Sequence, residues 1–264
     1  CSDGALTPTE LIERAVARGV GTLAITDHDT VAAWPLAAAS APDNLALICG
    51  IELSARWGSL EVHVVGLNIA PETPRLVEGI ARQRAARDER ARRIAHRLAR
   101  RRVPDPLAGA RRHASDAVIG RPHFAAHLVA CGLVPDRKTA FKRYLGQGKV
   151  GDVRTEWPDL ATVTGWIHAA GGQAVLAHPM KYTISATKRR ALLTAFRDGG
   201  GDAVEVVSGH QHPDMTAQMA TLCRQYDLMG STGSDFHSPQ NAWSDLGLGL
   251  DLPRSVTPVW AAWA

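Results

Sequence analysis

Six stations along this chain set acidic or histidine residues in or beside short, mostly apolar runs. Asp3 sits in Ser2-Asp3-Gly4, and Asp27-His28-Asp29 follows Leu23-Ala24-Ile25-Thr26. Glu52 follows Leu47-Ile48-Cys49-Gly50-Ile51, and His63 lies inside Glu61-Val62-His63-Val64-Val65. His178 ends Ala174-Val175-Leu176-Ala177, and Asp235-Phe236-His237 follows Met229-Gly230-Ser231-Thr232-Gly233. Short aliphatic and β-branched runs read as buried parallel strands, and functional groups gather at the carboxyl ends of such strands. One polar residue at a strand end means little. Six stations offering hard oxygen or imidazole point to a site for more than one divalent metal.

Helical patterns separate these strands. Thr7-Pro8-Thr9-Glu10 combines an N-cap threonine, a proline at the first helical position and a glutamate three residues after the cap. Leu11, Ile12, Ala15 and Val16 make one apolar stripe, and Gly19 supplies the stop. Strands are expected near residues 23–26, 45–48, 62–67, 173–177, 203–207 and 228–231. Helices are expected at 157–170, 187–197 and 215–226. This alternation predicts an α/β fold with a parallel sheet wrapped by helices, and strand-end ligands favour a closed barrel.

Residues 71–156 break the pattern. Arg75 to Arg102 reads as one long charged helix, stopped by Val103-Pro104-Asp105-Pro106. Pro122 opens a second helix through Phe124 and Leu128 to Gly132, and residues 138–144 make a third. The expected division is therefore 1–70 as the first part of the barrel, 71–156 as a helical insertion, and 157–264 as the second part. The first helix carries eleven arginines against Glu78, Asp88 and Glu89. It reads either as a solvated basic face or, beside a metal site, as a surface for phosphate.

At 264 residues the chain can bury a barrel-sized core. No apolar stretch approaches the roughly 20 residues that span a bilayer. Cys1, Cys49, Cys131 and Cys223 are far apart, which argues against a disulfide framework or zinc ribbon. No secretory signal is visible, so the expected location is the cytoplasm. No obligatory protein partner is inferred.

In order and separation these motifs resemble the PHP (polymerase and histidinol phosphatase) family, particularly its stand-alone phosphoesterase branch. Gly120-Arg121-Pro122-His123-Phe124 resembles the members that act on nucleoside 3′,5′-bisphosphates and on the 5′ ends of short RNAs. The resemblance implies a distorted (β/α)7 TIM-like barrel with two to three divalent ions, manganese, iron or zinc. Asp3, His28 and His237 would hold one ion. Glu52 would bridge two, His63 and His178 would serve the second, and Asp235 would help close the cluster. A metal-bound hydroxide is then the expected nucleophile for phosphate ester hydrolysis. Arg121 would bind the phosphate, and His123 would touch it or protonate the leaving oxygen. His210 and His212, which follow a barrel strand, are candidates for substrate contact.

The family begins with a His-x-His pair four residues before the aspartate of Ser-Asp-Gly, whereas Asp3 has two residues ahead of it. The pair, and with it the first barrel strand, is therefore expected upstream of Cys1. A chain lacking them is expected to bind fewer ions and to be inactive itself. Other readings of the same motifs are a histidinol-phosphatase-like enzyme of small metabolites and a non-hydrolytic phosphate- or RNA-binding module.

Overall fold

A computed structural model describes residues 2–114, 118–240 and 244–263. Cys1 lies outside them; Cys49, Cys131 and Cys223 are free thiols. The centre is a six-stranded sheet in the order β1-β2-β3-β4-β5-β6. The strands are β1 (Thr22–Ile25), β2 (Ala46–Trp57), β3 (Leu60–Leu67), β4 (Gln173–Leu176), β5 (Ala203–Ser208) and β6 (Met229–Gly233). Neighbours in the sheet are neighbours in sequence, so the chain walks once across it.

The expected all-parallel sheet is corrected here. β3 pairs antiparallel with both β2 and β4, while the remaining pairings are parallel. The cause is the connection. Only Gly58 and Ser59 separate β2 from β3, and Gly58 turns at φ 58°. Two residues can close a hairpin, whereas a parallel crossover needs a dozen or more. β2 is also longer than the expected strand, so Glu52 lies within it rather than beyond its end. The described residues thus form a curled, mixed sheet of six strands, and a seven-stranded closed barrel is not among them.

α1 (Pro8–Ala17) starts as its sequence dictates, with Thr7 and Glu10 exchanging cap hydrogen bonds. α2 (Trp34–Ser40) covers the β1–β2 crossover. α7 (Leu160–Ala169), α8 (Ala186–Asp198) and α9 (Pro213–Gln225) pack on the outer face of the sheet, where Ile51, Leu53, Val64, Ile167, Phe196 and Met219 share one core. The inner face is a smaller cluster around Val65, Leu67, Val175, Ala177 and Ala203. Among the described residues no helix is long and apolar enough to cross a membrane.

Between β3 and α7 the described elements are α3 (Pro74–Ala99), α4 (Pro106–Ala114), α5 (Arg121–Ala130), α6 (Arg137–Ala140) and a π-helical turn Phe141–Leu145. Ile94, Leu98, Phe124, Leu128 and Leu145 give these helices a core of their own. α4 was not expected. Pro106 read as part of a stop, yet a proline at the first helical position begins α4 just as Pro8 begins α1. The start of α3 packs on the sheet instead, with Leu76 in the outer core and Gly79 against Trp166.

Candidate metal and phosphate site

Alternation along the β2–β3 hairpin decides which side chains take part. Glu52 is registered with Val65 and Ser54 with His63, so these four share a face. Ile51, Leu53, Ala55, Val62 and Val64 point the other way into the outer core. The period that buries the apolar face therefore aims Glu52 and His63 inward.

Glu52 is the hub. Its Oε1 lies 3.0 Å from His178 Nε2 and 3.1 Å from His63 Nδ1, and its Oε2 lies 3.6 Å from His28 Nδ1. Burial opposes its charge, but the surrounding His28, His63 and His178 outweigh it and hold the carboxyl well below the usual range. Burial also lowers His28 below the ordinary imidazole value, which favours the neutral, lone-pair form. On the other side, Asp3, His28 and His237 present ligand atoms within 4.8 Å of one another, as do His28, Glu52 and His63. His237 donates from Nδ1 to the Asp235 carbonyl at 2.9 Å, leaving Nε2 to face Asp3. Fixing one imidazole nitrogen to present the other is how metal-ligating histidines are oriented.

Two buried imidazole nitrogens in this cluster, Nδ1 of His28 and Nδ1 of His178, lack a hydrogen-bond partner. Imidazole nitrogens stranded in an interior need an explanation; a divalent ion beside well-ionised Glu52 supplies one for His28 Nδ1, whereas His178 meets Glu52 through Nε2. Backbone strain also collects here. Asp29, His178 and Asp235 have φ of 53°, 31° and 50°, in the left-handed region that side chains other than glycine seldom enter.

The seven residues expected as ligands (Asp3, His28, Glu52, His63, His178, Asp235 and His237) all line two adjoining cavities. Ser2, Asp3 and His28 form the wall common to both. The smaller cavity is basic, with Arg87, Arg90 and Arg121 in its lining. His123 is buried at the start of α5, where burial lowers its pKa although Asp3 is close enough to oppose the effect. Its Nδ1 accepts the Gly120 N–H at 2.9 Å, which places the ring proton on Nε2. His123 lines neither cavity, and His210 and His212 are exposed and line neither as well. His212 instead caps α9, accepting the Asp214 N–H at 3.3 Å.

Three participants escaped the sequence reading. Arg87 and Arg90 were counted only as members of the arginine run. Both guanidinium groups lie against Trp157, 5.5 and 5.7 Å from its ring centre. Arg87 donates to buried Asp29 and, at 3.0 Å, to Ser54 Oγ, while Arg90 makes a fork to Glu61 at 3.1 and 3.2 Å. Glu205 is the third. Burial pushes its carboxyl up, and it accepts the His178 N–H at 2.7 Å. A lone acid inside Ala203-Val204-Glu205-Val206-Val207 was the available signal.

No family model matches the chain. It is 44% identical over 265 residues to the 5′-3′ exoribonuclease Rnm of Escherichia coli, covering 99% of this chain and 90% of that protein. It is 42% identical over 261 residues to the 3′,5′-nucleoside bisphosphate phosphatase of Chromobacterium violaceum, covering 98% and 92%. The solved structure of an amidohydrolase from Chromobacterium violaceum, with bound sulfate and no metal, superposes with a TM-score of 0.92 at 41% identity, covering 99% and 92%. A chain from Bifidobacterium adolescentis, provisionally described as a metal-dependent phosphoesterase, gives 0.82 at 28% identity, covering 98% and 92%.

Proposed function

Because the chain belongs to the PHP phosphoesterases, in the branch of the exoribonuclease Rnm and the 3′,5′-nucleoside bisphosphate phosphatase, we propose how this hydrolase selects and cleaves its substrate. The substrate is a 3′,5′-nucleoside bisphosphate or the 5′ end of a short RNA. The observation that carries this reading is the wall that the ligand cavity shares with the arginine cavity. One phosphate can face the ligand cluster while a second, uncleaved phosphate lies against Arg87, Arg90 and Arg121.

Asp3, His28 and His237 would hold one divalent ion, with Glu52, His63, His178 and Asp235 completing a cluster of two or three ions of manganese, iron or zinc. Such ions, when bound, stabilise charge on the phosphoryl oxygens and activate water. The chain's own groups do the rest. Arg121 stands at the first turn of α5, whose free N–H groups already favour an anion. Its guanidinium adds paired hydrogen bonds to the uncleaved phosphate. His123 carries its proton on Nε2 and serves as a phosphate contact or as the donor to the leaving oxygen. His210 and His212 would reach only a substrate that extends beyond both cavities. The accompanying architecture is a distorted (β/α)7 barrel with residues 71–156 inserted, acting in the cytoplasm.

The test uses the protein purified without chelator, combining metal analysis with turnover of three esters. A bisphosphate and a 5′-phosphorylated short RNA should be cleaved with bound divalent ions, and chelation should abolish turnover. A preference for a generic monoester over both would overturn the reading.

A further inference from the structure

The ladder between β3 and β4 ends irregularly, and it does so at two of the candidate ligands. Its register, with Val64 against Leu176 and Val65 against Val175, would next set His63 opposite Ala177. Opposed residues of a hydrogen-bonded antiparallel pair exchange two bonds. One is made, from the Ala177 N–H to the His63 carbonyl at 3.0 Å. Beyond Ala177 the chain leaves the sheet at His178, whose φ is 31°. The other bond goes to a side chain instead: the His63 N–H donates to Tyr182 Oη at 2.9 Å.

Tyr182 also reaches the second imidazole. Its ring meets that of His178 edge to face, with centroids 5.4 Å apart and planes at 67°. His63 and His178 are the two rings that converge on Glu52 Oε1, at 3.1 and 3.0 Å, and their facing nitrogens are 3.3 Å apart. The turn that carries Tyr182 is itself anchored. The Lys181 N–H closes it on the His178 carbonyl at 2.9 Å, and Arg189 of α8 donates to the Pro179 carbonyl at 3.2 Å. The Lys181 ammonium pairs with Asp235, so the same turn meets a third candidate ligand. Tyr182 packs against the outer core and lines neither cavity, which leaves it to act through the histidines.

We propose that Tyr182 is a positioning residue of the ligand cluster, its hydroxyl fixing the His63 backbone and its ring the plane of His178, so that both imidazoles serve one divalent ion beside Glu52. This inference rests on the metal reading above and deepens it by dividing the ligands. His63 and His178 depend on Tyr182. Asp3 and His237 are held instead by the bonds of Ser2 to Asp27 and of Ala5 to the His237 carbonyl. Partners behind a ligating histidine commonly hold its second ring nitrogen; here the hold is on the backbone of one ring and the face of the other.

The experiment titrates manganese(II) into chelator-treated wild type, Tyr182→Phe and Tyr182→Leu by calorimetry, with cobalt(II) absorption spectra as a second readout. Thr164→Val is the control, since it removes another buried hydroxyl, one that donates to the Gly199 carbonyl outside both cavities. Tyr182→Phe keeps the ring and loses the hydroxyl. It should weaken one class of bound ion by about 10- to 100-fold and alter the cobalt spectrum, while any ion at Asp3, His28 and His237 binds as in wild type. Tyr182→Leu, which loses the ring as well, should weaken the same class further. Thr164→Val should lower Tm and change neither metal readout. Wild-type metal affinity and spectrum in Tyr182→Phe, with only a lower Tm, overturn the positioning role. So does equal weakening of every ion, which would mark a general loosening of the fold. If wild type takes up no divalent ion, the metal reading falls and the positioning role with it; if wild type binds and both Tyr182 variants match it, the positioning role falls alone.

Discussion

Replacing Asp29 by Asn tests whether Arg87 is held by a buried charge or merely rests beside one. Asp29 is fully buried and Arg87 nearly so, with side-chain exposures of 0% and 11%. The carboxylate accepts from Arg87 Nε, from the Ser54 N–H at 2.7 Å and from Ser54 Oγ at 2.9 Å. Asparagine keeps the shape and tolerates the left-handed backbone that Asp29 occupies, so the change isolates the charge. Its amide nitrogen would also turn a donor towards donors. Breaking a buried ion pair typically costs about 3–5 kcal/mol, and for a chain of this size each kcal/mol lowers Tm by roughly 2–4 °C. Asp29→Asn should therefore lower Tm by about 6–20 °C. By contrast, Glu89→Gln removes the exposed Arg92–Glu89 pair, both side chains 60% exposed, and should cost under about 1 kcal/mol. Calorimetry and urea midpoints on Asp29→Asn, Arg87→Met and the double variant give the coupling directly. The double variant should cost at least about 1.5 kcal/mol less than the sum of the singles. Additive losses, or an Asp29→Asn cost under about 1 kcal/mol, would refute the buried-pair argument.

Glu52→Gln removes the charge shared among His28, His63 and His178, and should reduce turnover by at least about 100-fold with loss of bound metal by elemental analysis. Normal turnover and metal content would make Glu52 structural. Arg121→Ala should lower kcat/KM for a bisphosphate by about 10- to 150-fold, the equivalent of one charged hydrogen bond, while sparing a generic monoester. Gly79→Ala would place its Cβ 2.5 Å from the Trp166 ring, so overpacking should cost about 1–3 kcal/mol in urea denaturation.

What could be read from the chain, and what could not, follows from the range of the interaction concerned. The α1 cap was legible because its partners, Thr7 and Glu10, are three residues apart. The candidate stations stood out because their residue types are rare inside apolar runs, and the structure gathers their side chains around two adjoining cavities. The β2–β3 hairpin was missed although Trp57-Gly58-Ser59-Leu60 contains its turn; polar Glu52, Ser54 and His63 hid a continuous strand pair. Arg87 could not be separated from the neighbouring arginines, because what distinguishes it is a buried carboxylate 58 positions away. His210 and His212 were placed by following a strand to its end, and the chain there turns outward into the cap of α9.

The ligand stations also explain where the chain tolerates strain. A non-glycine residue in the left-handed region costs on the order of 1–3 kcal/mol and persists only where neighbours over-determine it. Asp29 is fixed at its backbone as well as its side chain, since its N–H donates to the Glu52 carbonyl at 2.9 Å. Its strain thus ties the loop carrying His28 to the strand carrying Glu52. His178 is fixed by Glu205, which takes its N–H, and by Pro179, which restricts it from the other side. Glu205 then has a structural reason to be a buried carboxyl: it holds the backbone turn that swings His178 onto Glu52. The Ser2–Asp3 segment is pinned likewise, because Ser2 donates through N and Oγ to Asp27 Oδ1 at 2.8 and 2.7 Å and the Ala5 N–H reaches the His237 carbonyl at 2.7 Å. The segments carrying Asp3, His28 and His178 are thus each held by hydrogen bonds from another part of the chain. Removing one tether, such as the Asp27 carboxylate, should loosen the Ser2–Asp3 segment and, through Ser2 Oγ, which accepts the His28 N–H at 3.2 Å, the loop that carries His28.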